Sequence, residues 1–257
     1  MSRFKRLLLC FALVLIAVPA AWAGERWDHI VATKTLRVGT PGDYKPFAMK
    51  EGDGYVGHDI DVIDALAKEL NLKIEYVPTS WPNLMKDLQA GKFDVALGGI
   101  TRNAPRIAVA VMLPGYGPSA KVALVRAADK DKYKSLADLD KPDVRVIKNP
   151  GGTNEQFVLQ HLKDAHIITH DKNAEIPGMI ADGQGDVMIT ETYEALTYAK
   201  ADPRLAAIFV HHPLTTPHYE GFLLPKDDPD YVRVMEYAWN LADEVGTLKR
   251  IDDKWFN

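Results

Sequence analysis

Two glutamates, Glu191 and Glu194, lie three residues apart just after a short apolar run that ends at Ile189. Residues three apart on a helix share one face, so both carboxylates would lie on the same side. One of them could meet an amine. The other could act as a general acid if burial kept it protonated near neutral pH. Two solvated carboxylates on an exposed helix are the alternative interpretation of this spacing.

A second group of residues has the chemistry of a carboxylate-binding site. Thr101 and Arg106 follow a predicted strand over 93–97. An arginine guanidinium can hold a carboxylate through two parallel hydrogen bonds. A surface arginine at the start of a helix would give the same pattern, so the pair alone leaves both interpretations open.

A glycine turn is the third candidate. Gly151, Gly152, Thr153 and Asn154 lie between a predicted strand and a predicted helix over 154–163. Free backbone N–H groups at such a helix start suit a carboxylate or a phosphate. No Lys-Ser/Thr pair follows, so the turn is not a nucleotide-binding P-loop. An ordinary connecting turn is the alternative.

Aromatic residues in two irregular segments could flank a flat ligand. Trp81 lies between two prolines, and Tyr44 lies in a loop bounded by glycine and proline. Both rings offer a flat apolar surface together with a polar group. Either ring could instead pack within the protein itself.

The histidines do not predict a metal site. His166 and His170 are four residues apart, but the residues between them are typical of a strand, and His211 and His212 are typical of a solvated pair. The sequence contains neither a nucleophile elbow nor a glycine-rich dinucleotide motif. It therefore predicts no metal and no cofactor.

The composition limits what these groups can belong to. The chain has 257 residues, of which 47% are hydrophobic, with a net charge of −4 and a single cysteine, Cys10. These values are typical of a globular protein with one large domain or two modest ones.

The first 23 residues have the pattern of a secretory signal peptide. Arg3, Lys5 and Arg6 precede an apolar run over 7–18, and Ala21-Trp22-Ala23 has the small-x-small pattern of a cleavage site. We expect cleavage after this site and export to the periplasm, with no membrane insertion afterwards. An uncleaved anchor is the alternative. Cleavage would remove three positive charges and the only cysteine. The mature chain would then form no disulfide and lack the basic surface of a nucleic-acid binder.

Apolar periodicity predicts alternating strands and helices. Strands are expected near 36–40, 74–77, 93–97, 122–125, 144–147, 167–168 and 187–189, and helices near 60–70, 84–90, 154–163, 173–182, 191–200, 229–244 and 247–255. Asp59 is expected to cap the first of these helices. The alternation implies mostly parallel sheets with helices on both faces.

An internal echo points to two similar lobes. Residues 88–95 and 180–187 each combine a helix end, a glycine and the Asp-Val start of a strand. Ligands of open α/β sheets bind beyond the carboxyl ends of the strands. The echo therefore predicts a cleft with Arg106 on one wall and Glu191 and Glu194 on the other.

Recurring short motifs run through nearly all of the predicted mature chain. They are Leu36-Arg37-Val38-Gly39, Gly57-His58-Asp59-Ile60-Asp61-Val62, Phe93-Asp94-Val95 and Arg106. In these motifs the chain resembles the type II periplasmic solute-binding proteins for polar amino acids. The resemblance implies that Thr101 and Arg106 bind a ligand α-carboxylate and that Glu191 takes an α-amine.

The resemblance also implies a fold and its division. We expect a two-lobed α/β periplasmic binding protein fold of type II, each lobe a mostly parallel sheet flanked by helices. Residues 1–23 would be the signal peptide. Residues 24–118 and 218–257 would form the first lobe, and residues 119–217 the second.

Three longer motifs give a narrower resemblance. They are Gly42 to Phe47, Pro78 to Met85 and Asn149 to Glu155. In them the chain is similar to the periplasmic cyclohexadienyl dehydratases, enzymes within the same family that convert prephenate to phenylpyruvate and arogenate to phenylalanine. This resemblance implies that Glu194 is the general acid. The chain departs from these enzymes over 98–102, where they have serine-rich surroundings.

The implied reaction gives a role to each remaining candidate. Loss of the ring hydroxyl and of carbon dioxide makes the ring aromatic, and protonation of the departing hydroxyl lowers the barrier. The carboxylates would be held by Thr101 with Arg106 and by Gly152, Thr153 and Asn154; Trp81 and Tyr44 would flank the ring; Asp43 and Lys45 would orient the substrate or Glu194. The reaction requires no cofactor and a small carboxylate as its only partner.

The competing interpretation is a non-catalytic protein that delivers an amino acid to an inner-membrane ABC transporter. Both interpretations share one scaffold and one carboxylate site, so the fold does not decide between them. Glu194 and the segment around Trp81 are the features that discriminate.

Overall fold

The computed structural model of the protein describes residues 24–257. The predicted signal peptide lies outside the described residues. Across 24–257, no helix combines the length and the apolar character that crossing a membrane requires.

The described chain alternates short strands and helices. The strands are β1 (Thr35–Thr40), β2 (Asp43–Tyr44), β3 (Ala48–Glu51), β4 (Gly54–Val56), β5 (Lys73–Pro78), β6 (Val95–Ala96), β7 (Val111–Met112), β8 (Tyr116–Ser119), β9 (Lys121–Arg126), β10 (Arg145–Lys148), β11 (His166–Thr169), β12 (Val187–Glu191), β13 (Leu205–Ile208), β14 (His218–Glu220) and β15 (Leu223–Leu224). The helices are α1 (Glu25–Thr33), α2 (His58–Glu69), α3 (Leu84–Gln89), α4 (Ala104–Val109), α5 (Leu136–Leu139), α6 (Gly152–His161), α7 (Ile176–Ala181), α8 (Thr192–Ala201), α9 (Pro229–Glu244) and α10 (Thr247–Phe256). Each predicted strand and helix is present, although the strand expected over 93–97 is reduced to β6.

The molecule is built on two five-stranded sheets. Each of these sheets, together with the helices that flank it, is called a lobe. The sheet of the first lobe has the strand order β5-β1-β6-β15-β7, and that of the second has the order β11-β10-β12-β9-β13. Strands β8 and β14 pair between the two lobes as a small hinge sheet. Strand β15 returns the chain to the first lobe. Helix α9 follows it, and Tyr231, Met235 and Trp239 bury one face of this helix in the core. The exact lobe boundaries stay a prediction.

The sheets are mostly parallel, as expected, because four of the five strands in each run in the same direction and one runs against them. In each sheet the first two strand pairings are parallel and the other two are antiparallel. The antiparallel pairings involve β15 and β9, the strands that enter their lobes from the hinge. A strand that follows a helix ends at the cleft, whereas a strand that comes from the hinge starts there, so the two run in opposite directions.

The sequence echo corresponds to one contact that occurs in both lobes. Asp94 accepts hydrogen bonds from the backbone N–H and the guanidinium of Arg37 at 3.0 and 2.7 Å. Asp186 accepts the same two from Arg145, both at 2.9 Å. Each aspartate precedes a short buried strand and ties it to the neighbouring parallel strand. The two lobes therefore position their cleft-facing strand ends in the same way.

The sequence predicted that Asp59 caps α2, and this prediction was wrong. Gly57 occupies the cap position, with a φ of 143° that favours glycine. The carboxylate of Asp59 instead accepts hydrogen bonds from the N–H groups of Gly98 and Gly99 at 2.8 and 2.9 Å. It thereby fixes the loop that leads to the cleft, because these two glycines come directly after β6.

Candidate active site

A cavity lies between the two lobes, beyond the carboxyl ends of their strands. Its empty volume is about 320 Å³, part of which is open to solvent. Its lining comprises Tyr44, Trp81, Gly99, Thr101 and Arg106 from the first lobe and Asn149, Gly151, Gly152, Thr153, Asn154, Asn173 and Glu191 from the second.

The lining includes eight of the eleven residues that the sequence singled out. They are Tyr44, Trp81, Thr101, Arg106, Gly152, Thr153, Asn154 and Glu191. The other three, Asp43, Lys45 and Glu194, do not line the cavity.

Lys45 lies in a different groove, beside Met49, Lys200 and Trp255. Neighbouring residues of an extended chain point to opposite sides. Because Tyr44 faces the cavity, Lys45 faces away from it. The placement gives no support to a role for Lys45 in orienting the substrate.

Asp43 positions the indole of Trp81. Its carboxylate accepts a hydrogen bond of 2.9 Å from Nε1 of Trp81. Burial raises the pKa of Asp43, and the bond from Trp81 opposes that rise. Trp81 also packs edge-on against Tyr44, with the ring centres 5.6 Å apart. The two rings therefore form a fixed aromatic corner of the cavity.

Arg106 is held with its guanidinium ready for an anion. Asn103 caps α4 by accepting the backbone N–H of Arg106 at 3.0 Å. Nη1 of Arg106 donates to the carbonyl of Thr101 across 2.6 Å. Burial lowers the pKa of Arg106, and the carboxylates of Glu220 and Glu191 oppose that shift. A ligand carboxylate would add a compensating negative charge to this buried cation.

The amino end of α6 faces the same cavity from the second lobe. Gly151 caps the helix with a φ of 79°, a conformation that favours glycine. A Cβ at Gly151 would lie 2.6 Å from the backbone nitrogen of Pro82 in the first lobe. The lobes therefore meet main chain to main chain at this point.

Lys121 is a charged residue of the site that sequence reasoning missed. It is 4% exposed at the start of β9. Its Nζ donates to Oγ1 of Thr153 at 2.8 Å and to Oδ1 of Asn154 at 2.5 Å, and it also contacts Oε1 of Glu191. The one feature of the sequence that could have indicated Lys121 is its position as a charged residue at the start of a strongly apolar strand.

Glu191 is a buried anion whose oxygens already have partners. Oε1 contacts Lys121, and Oε2 lies 3.0 Å from Nε2 of His218. Burial disfavours its charge, but Lys121 and His218 outweigh that effect and lower the pKa of Glu191 to about 2. An incoming amine would therefore have to compete with these partners for Glu191.

Glu194 is fully buried behind the cavity wall. Its Oε1 accepts a 2.7 Å hydrogen bond from Nδ2 of Asn173, and its Oε2 contacts Oγ1 of Thr190. Burial raises the pKa of Glu194 to about 8; Thr190 and Asn173 oppose the rise, and the charge of Asp43 adds to it. Glu194 therefore keeps its proton at neutral pH.

A row of polar groups connects Glu194 to the cavity. Oγ1 of Thr190 lies 3.5 Å from the hydroxyl of Tyr44, which lines the cavity, and Asn173 lines it directly. The acid is thus one side chain from the cavity surface. Asn173 and Asn149 were not anticipated, because polar loop residues of this type occur throughout the sequence.

Comparison with known proteins places this architecture in a family. Residues 36–257 match the model of the bacterial extracellular solute-binding proteins, family 3. The chain belongs to this family. Among curated members, the chain is 36% identical to the cyclohexadienyl dehydratase of Pseudomonas aeruginosa over 98% of its own length and 94% of that protein's. It is 28% identical to a probable amino-acid ABC transporter-binding protein of Haemophilus influenzae, over 98% and 97% of the two chains.

Solved structures of this family agree with the fold. One is an ancestral amino acid-binding protein described as a precursor of cyclohexadienyl dehydratase. It has 36% identity and a TM-score of 0.83, over 91% of this chain and all of the other. An ancestral cyclohexadienyl dehydratase is 48% identical, with a TM-score of 0.54 over 91% and 97% of the two chains.

Proposed function

We propose that the protein is a cyclohexadienyl dehydratase that converts prephenate to phenylpyruvate, arogenate to phenylalanine, or both. The observation that carries the proposal is the protonated Glu194 beside an anion-binding cavity. A solute-binding protein needs the carboxylate site, but it has no use for a buried neutral acid one side chain away. The similarity to the dehydratase of Pseudomonas aeruginosa over almost the whole chain supports the same activity.

The substrate's two carboxylates would occupy two neighbouring anion-binding groups, one on each lobe, which meet where Oγ1 of Thr101 lies 3.3 Å from Oγ1 of Thr153. Arg106 and the hydroxyl of Thr101 would hold one of them. The amides at the start of α6 would hold the other, with Thr153 and Asn154 oriented by Lys121. Charge-assisted hydrogen bonds of this kind are about twice as strong as neutral ones, so they would fix the position of the ring against the aromatic corner that Tyr44 and Trp81 form.

The chemistry then requires one proton per turnover. As the bond from the ring to its carboxylate breaks, the electron pair enters the ring and expels the hydroxyl. Glu194 supplies the proton that turns the departing hydroxide into water. The products are carbon dioxide, water and an aromatic α-keto or α-amino acid. Solvent returns the proton to Glu194 when the lobes open. A well-placed general acid typically accelerates such a step by about 10²–10⁴-fold.

Export to the periplasm through a signal peptide cleaved after Ala23 is part of this proposal. The first 23 residues have the charge and apolar pattern of such a peptide, and the family that the chain belongs to is extracellular. The division of the chain into lobes after residues 118 and 217 is also part of this proposal.

The test is turnover by the purified mature chain. Prephenate and arogenate are supplied separately at pH 7, and phenylpyruvate or phenylalanine is measured. Glu194→Gln keeps the shape of the side chain and removes the proton, so it should bind substrate and lose turnover by at least about a hundredfold. Glu236→Gln, on the exposed face of α9, is the matched control.

The second candidate is amino-acid binding for an ABC transporter. The buried Arg106 and the similarity to transporter-binding proteins favour it. Inertness of the wild type toward both substrates, together with tight binding of an amino acid, would select this function instead.

A further inference from the structure

Three side chains converge where the hinge meets the second lobe, and one of them, Glu191, also lines the cavity. They are Glu191 at the end of β12 and His218 and Glu220 on the hinge strand β14. One ligating atom from each lies within 4.8 Å of the other two. Nε2 of His218 is 3.0 Å from Oε2 of Glu191 and 3.8 Å from Oε1 of Glu220.

Glu220 provides an independent observation. Its side chain is fully buried, and neither carboxylate oxygen has a hydrogen-bond partner among the described residues. A buried polar group without a partner is costly, and a buried carboxylate especially so. A cation placed between the three side chains would supply the missing partner.

The direction of the histidine ring fits such a cation. Although Nε2 of His218 is close to Oε2 of Glu191, the contact lacks the alignment of a hydrogen bond, and the atom has no other partner within 24–257. Two ligands of one metal ion behave in this way, because both are directed at the ion rather than at each other. Ligand bonds of about 2.0–2.2 Å in a tetrahedral site place neighbouring ligand atoms about 3.3–3.6 Å apart. The two separations that involve His218, 3.0 and 3.8 Å, lie on either side of this range.

Two positive groups border the cluster without filling it. Lys121 contacts Glu191 through Oε1, which leaves Oε2 with a long hydrogen bond of 3.4 Å from Oγ of Ser119 and with no lysine or arginine partner among the described residues. The charge of Arg106 acts on Glu220 from further away and forms no ion pair with it among the described residues. The two carboxylates together balance a divalent ion.

We propose that Glu191, His218 and Glu220 form a binding site for a zinc-like divalent cation. One imidazole nitrogen and two carboxylate oxygens suit zinc, cobalt or nickel better than calcium or magnesium, and three protein ligands leave a fourth position for water. Because Glu191 belongs to the second lobe and the other two ligands to the hinge, a bound ion would fasten the lobe to the hinge. The site goes beyond the proposed dehydratase activity and is not required for it.

The test uses the mature chain without a histidine tag, freed of metal by a chelator. Co²⁺ is titrated at pH 7.5 and followed by its visible absorption, and Zn²⁺ is then added as a competitor. We expect one Co²⁺ per chain, with the intense bands of a four- or five-coordinate ion that Zn²⁺ removes. His218→Gln and Glu220→Gln should each weaken binding by about tenfold or more.

His211→Gln removes a histidine outside the cluster and should leave the affinity unchanged. The absence of stoichiometric binding by the wild type, or equal affinity in wild type and His218→Gln, would overturn the proposal. Melting curves without metal establish that each variant is folded. No substrate is present in this assay, so its outcome is independent of whether the protein is a dehydratase.

Discussion

The side-chain amide of Asn173 donates a 2.7 Å hydrogen bond to Oε1 of Glu194. The same nitrogen donates to the main-chain oxygen of Asp43 across 3.2 Å, so one amide joins the second lobe's acid to the first lobe. Separation of the lobes would break this contact. The position of the acid is therefore coupled to closure of the cleft around a ligand.

Asn173→Ala should move the alkaline limit of activity to higher pH. The hydrogen bond from Asn173 favours the ionised form of Glu194 and so lowers its pKa. Its loss leaves the pKa higher while the acid becomes less well positioned. We expect kcat to fall about tenfold or more, with the alkaline limb displaced upward in a pH–rate profile. An alkaline limb at the same pH as in the wild type would contradict an effect of Asn173 on the pKa of Glu194.

Asp43→Asn should displace the same limb in the opposite direction. The negative charge of Asp43 contributes to the raised pKa of Glu194. Removing that charge makes ionisation of Glu194 easier, so activity should decline at a lower pH than in the wild type. The amide can still accept the bond from Trp81, which keeps the aromatic corner in place. Comparison with the Asn173 variant controls for general damage, since general damage would not displace the two limbs in opposite directions.

The raised pKa of Glu194 also predicts a stability effect that needs no substrate. Unfolded glutamates titrate near pH 4.3, whereas Glu194 in the folded chain titrates at about 8. Between these values the folded state holds the proton more tightly, so raising the pH destabilises it. Relative to Glu194→Gln, the wild type should lose unfolding free energy with a slope approaching about 1.4 kcal/mol per pH unit.

Urea unfolding of both proteins from pH 5 to pH 9 measures this difference. Other titrating groups are common to the two chains and cancel. The difference should level off above pH 8, where the folded wild type has also lost the proton. Parallel stability curves across the whole range would show that Glu194 titrates normally.

Gly151→Ala should impair ligand binding by obstructing closure. The added Cβ would lie 2.6 Å from the backbone nitrogen of Pro82 in the opposite lobe. Gly183→Ala is the matched control, because Gly183 has a similar φ of 75° but has no atom within 4 Å of such a Cβ. From backbone strain we expect Gly183→Ala to lose about 1–2 kcal/mol of stability and Gly151→Ala about 1–3 kcal/mol, because the ψ of 169° at Gly151 belongs to a region that is essentially confined to glycine.

Only Gly151→Ala should also raise KM, by about tenfold or more. Small-angle scattering would then show a radius of gyration that no longer decreases when ligand is added. Equal KM values for the two variants would mean that closure does not depend on this contact.

Prephenate should be the better substrate. The amine of arogenate would find no free carboxylate among the described residues of the cavity lining, since Glu191, the one carboxylate there, is already engaged by Lys121. An unpaired buried polar group costs about 1–3 kcal/mol, so kcat/KM should favour prephenate by about ten- to a hundredfold. Competition between the two substrates in one reaction measures the ratio directly. A preference for arogenate would show that Glu191 exchanges its partners.

The sequence was most informative where local pattern determines structure. Apolar periodicity predicted the helix at α9 with the bounds that are observed. The Asp-Val echo predicted two similar lobes, and Asp94 and Asp186 make equivalent contacts in them. The mostly parallel sheets were confirmed, but the one antiparallel strand in each, β15 and β9, was not predicted, because strand direction at the hinge depends on how the chain passes between lobes.

The site was predictable only in part, for a similar reason. Arg106 and the turn at Gly152 follow strand ends, and strand ends meet at the cleft. Lys121 and Glu220 escaped notice because their importance comes from partners that are distant in sequence, such as Glu191 for Lys121, 70 residues away. Lys45 was misleading because adjacent residues of an extended segment face opposite sides.

The main-chain contact between Gly151 and Pro82 has a consequence for the range of molecules that the cleft can accept. Substitutions can replace a side chain by a smaller one, and side chains can rotate, but the main-chain atoms at this contact are present whatever the residue. It sets the smallest separation of the lobes and gives the enclosed space a fixed dimension. A molecule too long for that space keeps Gly151 away from Pro82 and leaves the cleft open to water. This contact thus limits the size of ligand around which the lobes can close, and single substitutions of side chains cannot easily change that limit.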